Sequence, residues 1–578
     1  MINNFMQQLD ILLTKKQKRQ MLFLFVVMLI GAFLEAFGVS VIVPFVAVIT
    51  RDDFIEKIPL LSRLFHSFGF SSPSQFALAC MSVLILVYLI KMAYLFFEYS
   101  LQAKFVCECK FATQERLIKS FLNKPYAYYL NKNSSEMHRL LVSDLNKVFQ
   151  MLQQVLATVT EFVVAVVLLI TLFIIDPMMS ACVMLIIIIT VFITGCLIRP
   201  RLDDAGRIVM SNERIRSRWI SQGFAGIKEI KHIHAEAFVS GKIYETGEKI
   251  SEGERVRQVL YAIPRVIIET SCVCGMLGVL VLMMFMGKTL ESLLPAVSAF
   301  AMVAIKLMPA ANRFTSTLGT VVYNMPVLEN IVAPLRESRG KTKNESRDTD
   351  KYAVKPLSKD TVYDIVFNHV SFSYPGTDKI ILDDVSFKAE HGKMIGISGV
   401  SGAGKTTFAD IMLGILEPDS GEVVIHTNGI GYIPQFTFML DDTIRANIAF
   451  GIEPDKIEDE LVWDCLADAQ LADYIKTAPD GLDTRVGERG IRLSGGQIQR
   501  IGIARALYRK PDILVFDEAT SALDLETEAA IIDAVNQLHG KKTMVIIAHK
   551  SGVLADCDII YKVVEGKLVP LAKPKSRP

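Results

Sequence analysis

Long apolar runs alternate with strongly polar stretches over roughly the first 320 residues of the chain and then cease. Six runs, near 21–50, 76–98, 154–175, 178–198, 259–287 and 293–313, are long enough to cross a bilayer, which takes about 20 residues of helix. The segments 99–153 and 199–258 keep apolar residues at helical spacing, so the spans are predicted to continue as helices beyond the membrane. At the turning points, 123–141 and 219–233, short helices are predicted to lie across a cytoplasmic partner. Between the first two runs, Leu60, Leu61, Leu64, Phe65 and Phe68 recur at i, i+3/i+4, the pattern of a helix lying in the membrane interface.

Charge orients this half of the chain. Lys and Arg crowd the tail before the first run and both long connections, whereas the turns at 176–177 and 288–292 are nearly uncharged. The positive-inside rule then puts both termini and both connections in the cytoplasm. The segment 1–20 is polar, ends in Lys15, Lys16, Lys18 and Arg19, and leads into an apolar run too long for a cleavable signal. A net charge of +1 argues against a nucleic-acid binder. Among nine cysteines, Cys107/Cys109 and Cys272/Cys274 are CxC pairs. That is not the CxxC spacing of zinc or redox sites, and ordinary neutral thiols are expected.

The stretch 337–360 is charged and almost devoid of large apolar residues, as a linker is. Beyond it "KMIGISGVSGAGKTTFADIMLGIL" passes from an apolar strand through glycines to a helical pattern. Residues 399–406 match G-x-x-x-x-G-K-[ST] in that strand–loop–helix context. Gly399, Gly402 and Gly404, with Ser401, let backbone N–H groups surround phosphates, and the helix start favours the anion. Lys405 is placed to reach the β- and γ-phosphates of a nucleotide, Thr406 to bind Mg²⁺, and Thr407 follows in the first helical turn. "ILVFDEAT" is a buried-strand run ending in Asp517, expected in the Mg²⁺ shell, and Glu518, expected to orient or deprotonate the attacking water. "LSGGQ" precedes it, and His549 and Gln435 each end a further strand run.

This set, in this order, resembles the nucleotide-binding domain of ATP-binding-cassette (ABC) transporters over roughly 361–572. The resemblance implies a membrane α-helical domain of six spans (1–336), a linker (337–360) and an α/β P-loop ATP-binding domain (361–578). It implies that Tyr374 stacks on adenine, and that Gln435 joins Thr406 and Asp517 near the metal and Glu518 and His549 near the reaction. It also implies that Ser494, Gly495 and Gly496 contact ATP bound to the opposite subunit, with 521–524, ending in Asp524, as the loop between the two sites. The segment 486–490 resembles the stretch that touches the transmembrane helices of exporters. One phosphate loop and one LSGGQ per chain imply a dimer, most simply a homodimer, in which both sites hydrolyse ATP.

Cargo is read from charges inside the spans. At 1.5 Å per residue, Lys306 lies about 20 Å and Lys91 about 22 Å from the outer ends of their spans, while Arg265 opens the fifth span. Arg313 falls lower, near the interface. A cation in mid-span is costly unless it faces a wet cavity or a partner. A basic cavity at inner-leaflet depth suits phosphate or pyrophosphate; pairing with Glu35 or snorkelling to the interface are the structural alternatives. "FLEAFGVSVIVPF", "AIPRVIIET" and "KLMPAANR" resemble lipid-linked oligosaccharide flippases of the PglK type. That resemblance implies ATP-driven flipping of a polyprenyl-pyrophosphate oligosaccharide across a bacterial inner membrane, with Lys91, Arg265 and Lys306 near the pyrophosphate. Two of these are Lys where Arg is expected, which keeps the charge and loses the bidentate fork. Exporters of other lipids, drugs or peptides are the competing expectation.

Overall fold

The computed structural model describes residues 2–50, 65, 73–130, 132, 134–175, 177–285, 290–341, 351–357, 362–519, 525–549 and 551–571. They divide into two compact units: Met1–Lys124 with Lys132–Thr342, and Pro125–Asn131 with Lys343–Pro578. Apart from Phe65, the interfacial helix expected over 58–70 lies outside the described residues.

The first unit is helical. Its elements are α1 (Ile2–Leu12), α2 (Lys15–Thr50), α3 (Pro73–Leu122), α4 (Ser134–Arg139), a π-helical turn (Leu140–Asp144), α5 (Leu145–Ile175), α6 (Pro177–Ala225), α7 (Ile227–His232), α8 (Glu236–Phe285) and α9 (Leu290–Lys341). The long helices outrun any bilayer: the 50 residues of α3 extend about 75 Å against about 30 Å of hydrocarbon. Among the described residues, three helical stretches, Lys15–Glu35, Leu78–Leu122 and Ser134–Ile170, each contain an 18-residue run apolar enough to span. Val83, Ile85, Leu86, Leu89 and Ile90 of α3 are all exposed, an apolar surface that water would not tolerate and lipid does.

Local chemistry sets the helix ends and crossings. Thr14 and Gln17 form a capping box at the start of α2: the Thr14 N–H donates to Gln17 Oε1 at 2.9 Å, and the Gln17 N–H to Thr14 Oγ1 at 3.3 Å. Phe5, Leu9 and Leu12 of α1, with Leu13 beyond it, are buried, and α1 packs along α9. Helices α6 and α9 cross closely at Gly206, where an added Cβ would stand 2.6 Å from the Tyr323 carbonyl oxygen. Tyr323 also donates its hydroxyl to Glu254 of α8 at 2.7 Å. Arg257 donates to the same carboxylate at 2.8 Å and lies over the rings of Tyr261 and Tyr323.

The second unit carries two sheets. One has the order β1 (Tyr352–Lys355), β5 (Ser420–His426), β2 (Tyr363–Ser373), β3 (Ile380–Glu390). The other has the order β10 (Lys567–Leu571), β9 (Ile559–Val564), β4 (Met394–Gly399), β8 (Thr543–Ile547), β7 (Ile513–Asp517), β6 (Ile430–Ile433). All its pairings are parallel except β9 with β10. Every residue of β7 and β8 is buried, as strands covered on both faces must be, and hence their unbroken apolar runs. Helix α10 (Lys405–Met412) follows β4, and its Phe408 packs against Phe367 and Phe387 with ring centroids 4.8 and 5.2 Å apart. That aromatic cluster fixes the helix whose first residue is the phosphate-loop lysine. The helix expected near 123–141 includes Tyr126–Leu130, which belongs to this unit; Ala127 packs against the cluster containing Phe408.

The linker expected over 337–360 is shorter in the structure. Helix α9 continues to Lys341, and Tyr352–Lys355 form β1, paired in parallel with Val423–His426. Tyr352 is buried and its hydroxyl donates to the Met412 carbonyl at 2.9 Å. The pairing partner lies some seventy residues away, so local composition does not reveal it.

Gly206→Ala is expected to lower the thermal unfolding midpoint of the detergent-solubilised chain, by roughly 1–3 kcal/mol of overpacking. Gly241→Ala, on α8 with nothing within 4 Å of the added Cβ, should leave it unchanged or raise it. Equal effects from the two substitutions would contradict the close α6–α9 crossing.

Candidate active site

The carboxyl ends of β4, β7 and β8 converge on one group of side chains. Gly404 caps α10 in the left-handed conformation, φ 103°, where an added Cβ would stand 3.0 Å from the Ile381 carbonyl oxygen. Only glycine satisfies both demands. The turn delivers Lys405, 4% exposed, into the interior, where Nζ donates to the carbonyls of Gly399 and Val400, each at 3.1 Å. The same Nζ stands 3.5 Å from Glu518 Oε1 and 3.1 Å from His549 Nε2.

Glu518 gathers the remaining groups. Its backbone is left-handed, φ 50°, a conformation that costs a non-glycine residue of order 1–3 kcal/mol and recurs at functional sites. His549 Nε2 lies 2.7 Å from Glu518 Oε1, and Gln435 Nε2 donates to Oε2 at 3.2 Å. A proton on His549 Nε2 is therefore directed to the carboxylate, which also faces the Lys405 charge. Lys405, Gln435, Glu518 and His549, taken from four separate stretches of sequence, thus form one contiguous cluster.

Asp517 is buried beside it. Burial and the Glu518 carboxylate push its carboxyl up, against donation from Thr406 and Tyr432 and the charge of Lys405. Its Oδ1 is buried without a hydrogen-bond partner. An orphaned carboxylate oxygen next to a threonine hydroxyl is the hard-oxygen donor set that Mg²⁺ takes, with water and phosphate oxygens completing its shell. Thr406 and Asp517 would hold the ion, with Gln435 reaching it from the loop after β6. Bound there, Mg²⁺ would neutralise phosphate charge.

Tyr374 stands on the helix side of the loop. Its hydroxyl is 3.0 Å from Thr407 Oγ1 and its ring is edge-on to Phe372, which puts an aromatic face next to the phosphate loop. Ser401 is exposed in that loop. Ser494 is the N-cap of α11 (Gly495–Tyr508): it accepts from the Gln497 N–H, and Gln497 accepts from the Ser494 N–H at 2.8 Å. Ser494 and Gly495 are exposed and Gly496 half-buried. No hydrogen bond or ion pair among the described residues joins 494–496 to the phosphate loop of the same chain. Asp524 and the rest of 521–524 lie outside the described residues.

Three site residues escaped the motif reading. Tyr432 donates to Asp517. Gln499, buried in α11, donates to the Pro434 carbonyl at 3.2 Å and so ties the LSGGQ helix to the strand end that bears Gln435. Asp410, on α10, has its carboxyl pushed up to about 6 by burial and by the Asp517 charge. Only a run such as "LSGGQIQR", with a second glutamine two residues on, offers a sequence signal for any of them.

The four cations singled out in the helical unit stand on three helices, with Lys306 and Arg313 both on α9. Lys91, on α3, is buried with Nζ 5.2 Å from the Tyr88 ring centroid, and it packs where α3 meets Gly38 of α2. Arg265 is exposed on α8, after Pro264. Lys306 falls within α9, but its side chain is outside the described residues. Arg313 Nη1 pairs with Glu161 Oε1 of α5 at 2.9 Å, a partner distant in sequence. Nearby, the Thr158 and Thr317 hydroxyls are 2.7 Å apart, and buried Glu98 accepts from Gln102 and Thr160. Helices α3, α5 and α9 therefore share a polar layer.

Residues 382–521 match the family model described as ABC transporter. The Schizosaccharomyces pombe protein named heavy metal tolerance protein is 38% identical over 217 residues, 36% of this chain and 26% of that one. The ATP-dependent lipid A-core flippase of Burkholderia orbicola is 32% identical over 311 residues, 49% of this chain and 52% of its own length. The chain thus spans between about a quarter and about half of these relatives. A solved bacterial Atm1-family ABC exporter with ATP bound superposes with a TM-score of 0.75 at 20% identity, covering 96% of this chain and 94% of that one. The fold is that of an ABC exporter, a helical membrane domain with an ABC ATPase domain, and that domain binds ATP with Mg²⁺.

Because folding raises the Asp410 pKa from 3.8 to about 6, the fold favours its protonated form, and stability is lost as pH rises from about 4 through 6. Asp410→Asn is expected to raise the unfolding midpoint at pH 8, in nucleotide-free buffer without Mg²⁺, and to change it little at pH 4. A variant with the wild-type pH profile would contradict this assignment.

Proposed function

We propose that the chain is one half of an ATP-driven exporter that works as a homodimer in a bacterial inner membrane, with six spans and both termini cytoplasmic. Its cargo on this reading is a polyprenyl-pyrophosphate-linked oligosaccharide, moved from the cytoplasmic to the outer leaflet. The observation that carries the ATPase part is the Lys405–Glu518–His549–Gln435 cluster beside the Thr406/Asp517 oxygen pair.

In this mechanism the loop N–H groups and Lys405 hold the phosphates, and Tyr374 stacks on the adenine. Glu518, oriented by Gln435 and His549, positions the attacking water and accepts its proton. Ser494, Gly495 and Gly496 of a second copy close the site from outside. Their exposure at a helix start supports this, because an N-terminal turn presents free N–H groups to an anion. Each ATP site is then completed only when two copies approach, which turns nucleotide binding into movement of the membrane helices.

For the cargo, the support is the placement of Lys91, Arg265 and Lys306 in three spans at inner-leaflet depth, with Arg313, paired to Glu161, at the lower edge. A pyrophosphate provides the opposite charge such a cavity calls for. The relatives named lipid A-core flippases favour a lipid over a drug or peptide, and a lipid of that kind is the second reading.

Proteoliposomes with a labelled polyprenyl-pyrophosphate oligosaccharide test both parts. Movement between leaflets should require ATP, vanish in Glu518→Gln, and fall at least tenfold in Lys306→Ala with basal ATP hydrolysis retained. ATP hydrolysis without movement of this lipid would discard the cargo and keep the exporter. Movement unaffected by Lys306→Ala would remove the charge-recognition account.

A further inference from the structure

Beyond the apolar part of the third span, a cavity of about 600 Å³ opens between α4, the π-helical turn and α6, with Ser135, Arg139, Ser143, Glu213, Arg216 and Ser217 in its wall. The ATPase mechanism uses none of these residues. We infer that this cavity is a binding site for a soluble phosphorylated ligand of sugar-phosphate size, held by Arg216 and the serine hydroxyls.

The charges around the cavity leave one cation over. Arg139 Nη1 and Asp144 Oδ2 are 2.5 Å apart and both residues are buried; Lys147 is 2.6 Å from Glu213, and Arg214 is 3.3 Å from Glu136. Those pairs cancel. Arg216, half-buried, has no hydrogen bond or ion pair among the described residues, and His138 sits exposed at the rim. The half-buried hydroxyls of Ser135, Ser143 and Ser217 likewise have no hydrogen-bond partner among the described residues.

A second observation points to a ligand independently. Arg139 is 5% exposed, yet its Nε and Nη2 are buried without acceptors, and the Oδ1 of its partner Asp144 is buried without a donor, a deficit that buried polar groups rarely carry. Its neighbour in sequence is the π-helical turn Leu140–Asp144, a rare geometry that concentrates at functional sites. The turn carries Ser143 to the cavity wall. Guanidinium forks and hydroxyls are the donors that phosphate oxygens take, and the volume suits a phosphorylated sugar.

Distance favours a soluble ligand over a lipid headgroup. Ser143 precedes the apolar run that begins near 154 by 11 residues, about 16 Å of helix, whereas the headgroup layer adds only about 5–7 Å beyond the hydrocarbon.

The test uses the full chain in detergent with Lys405→Ala, so that phosphates do not register at the ATP site, and glucose 6-phosphate as probe in isothermal titration. Saturable binding is expected that glucose alone does not give, weakened about tenfold or more by Arg216→Gln. Arg218→Gln removes the same charge from an exposed position outside the cavity and should change affinity less than twofold. Unchanged unfolding midpoints would show both variants folded. Absence of saturable binding, persistence in Arg216→Gln, or equal loss in Arg218→Gln would overturn the proposal. Binding of phosphatidic acid in nanodiscs without binding of glucose 6-phosphate would overturn the soluble assignment.

Discussion

A lysine turned inward at the carboxyl edge of a parallel sheet is the interaction on which the rest of this molecule depends. Lys405 is almost wholly withdrawn from water and is met by two carbonyls of its own loop, the Glu518 carboxylate and His549. A buried cation with one partner removed is strongly destabilising, so β4, β7 and β8 must end level with one another for the loop to close. The parallel register provides this: Met394 pairs with Met544, and Ile513 with Thr543. The Phe367–Phe387–Phe408 cluster holds the following helix, and through it the lysine, at the right height. Sheet order, aromatic core and phosphate loop are therefore one constraint seen at three scales.

On the homodimer reading proposed above, the site is an open half. Acid, histidine and glutamine converge within one chain, whereas the LSGGQ serine is occupied in capping its own helix and has no link to the phosphate loop among the described residues. Buried Gln499 nevertheless ties that helix to the strand end carrying Gln435. A second copy approaching the phosphates would act on Glu518 and on its own LSGGQ helix through the same glutamine-bearing loop. The short helix Tyr126–Leu130 is folded with the nucleotide unit although its flanking sequence is not.

Legibility in the sequence followed the range of the interactions. β4, β7 and β8 and the phosphate loop were plain, because a strand buried on both faces must be continuously apolar and a phosphate loop must be rich in glycine. The helical continuation of the spans was plain from its period. β1 was hidden in a polar stretch because what makes it a strand is pairing with β5 and burial of Tyr352, both distant in sequence. The partner of Arg313 was hidden for the same reason: Glu161 lies on another helix, and only packing brings the charges together. Tyr432 and Asp410 gave no signal, since a lone polar residue in an apolar run looks the same whether or not it touches a site. The π-helical turn has no spacing signature, and the buried Arg139–Asp144 pair that brackets it shows only in the folded chain.

The central claim is that each ATP site is shared by two copies of the chain, and proximity tests it most directly. Cysteines introduced together as Ser401→Cys and Ser494→Cys, in the Glu518→Gln background that arrests hydrolysis, can be joined with a short thiol cross-linker and the linked peptides identified by mass spectrometry. The account predicts a covalent dimer joining position 401 of one copy to position 494 of the other, formed with ATP and Mg²⁺ and lost without them. The single-cysteine variants measure the background from native thiols. A link within one chain, or no ATP-dependent link at all, would contradict the shared site and with it the mechanism built on it.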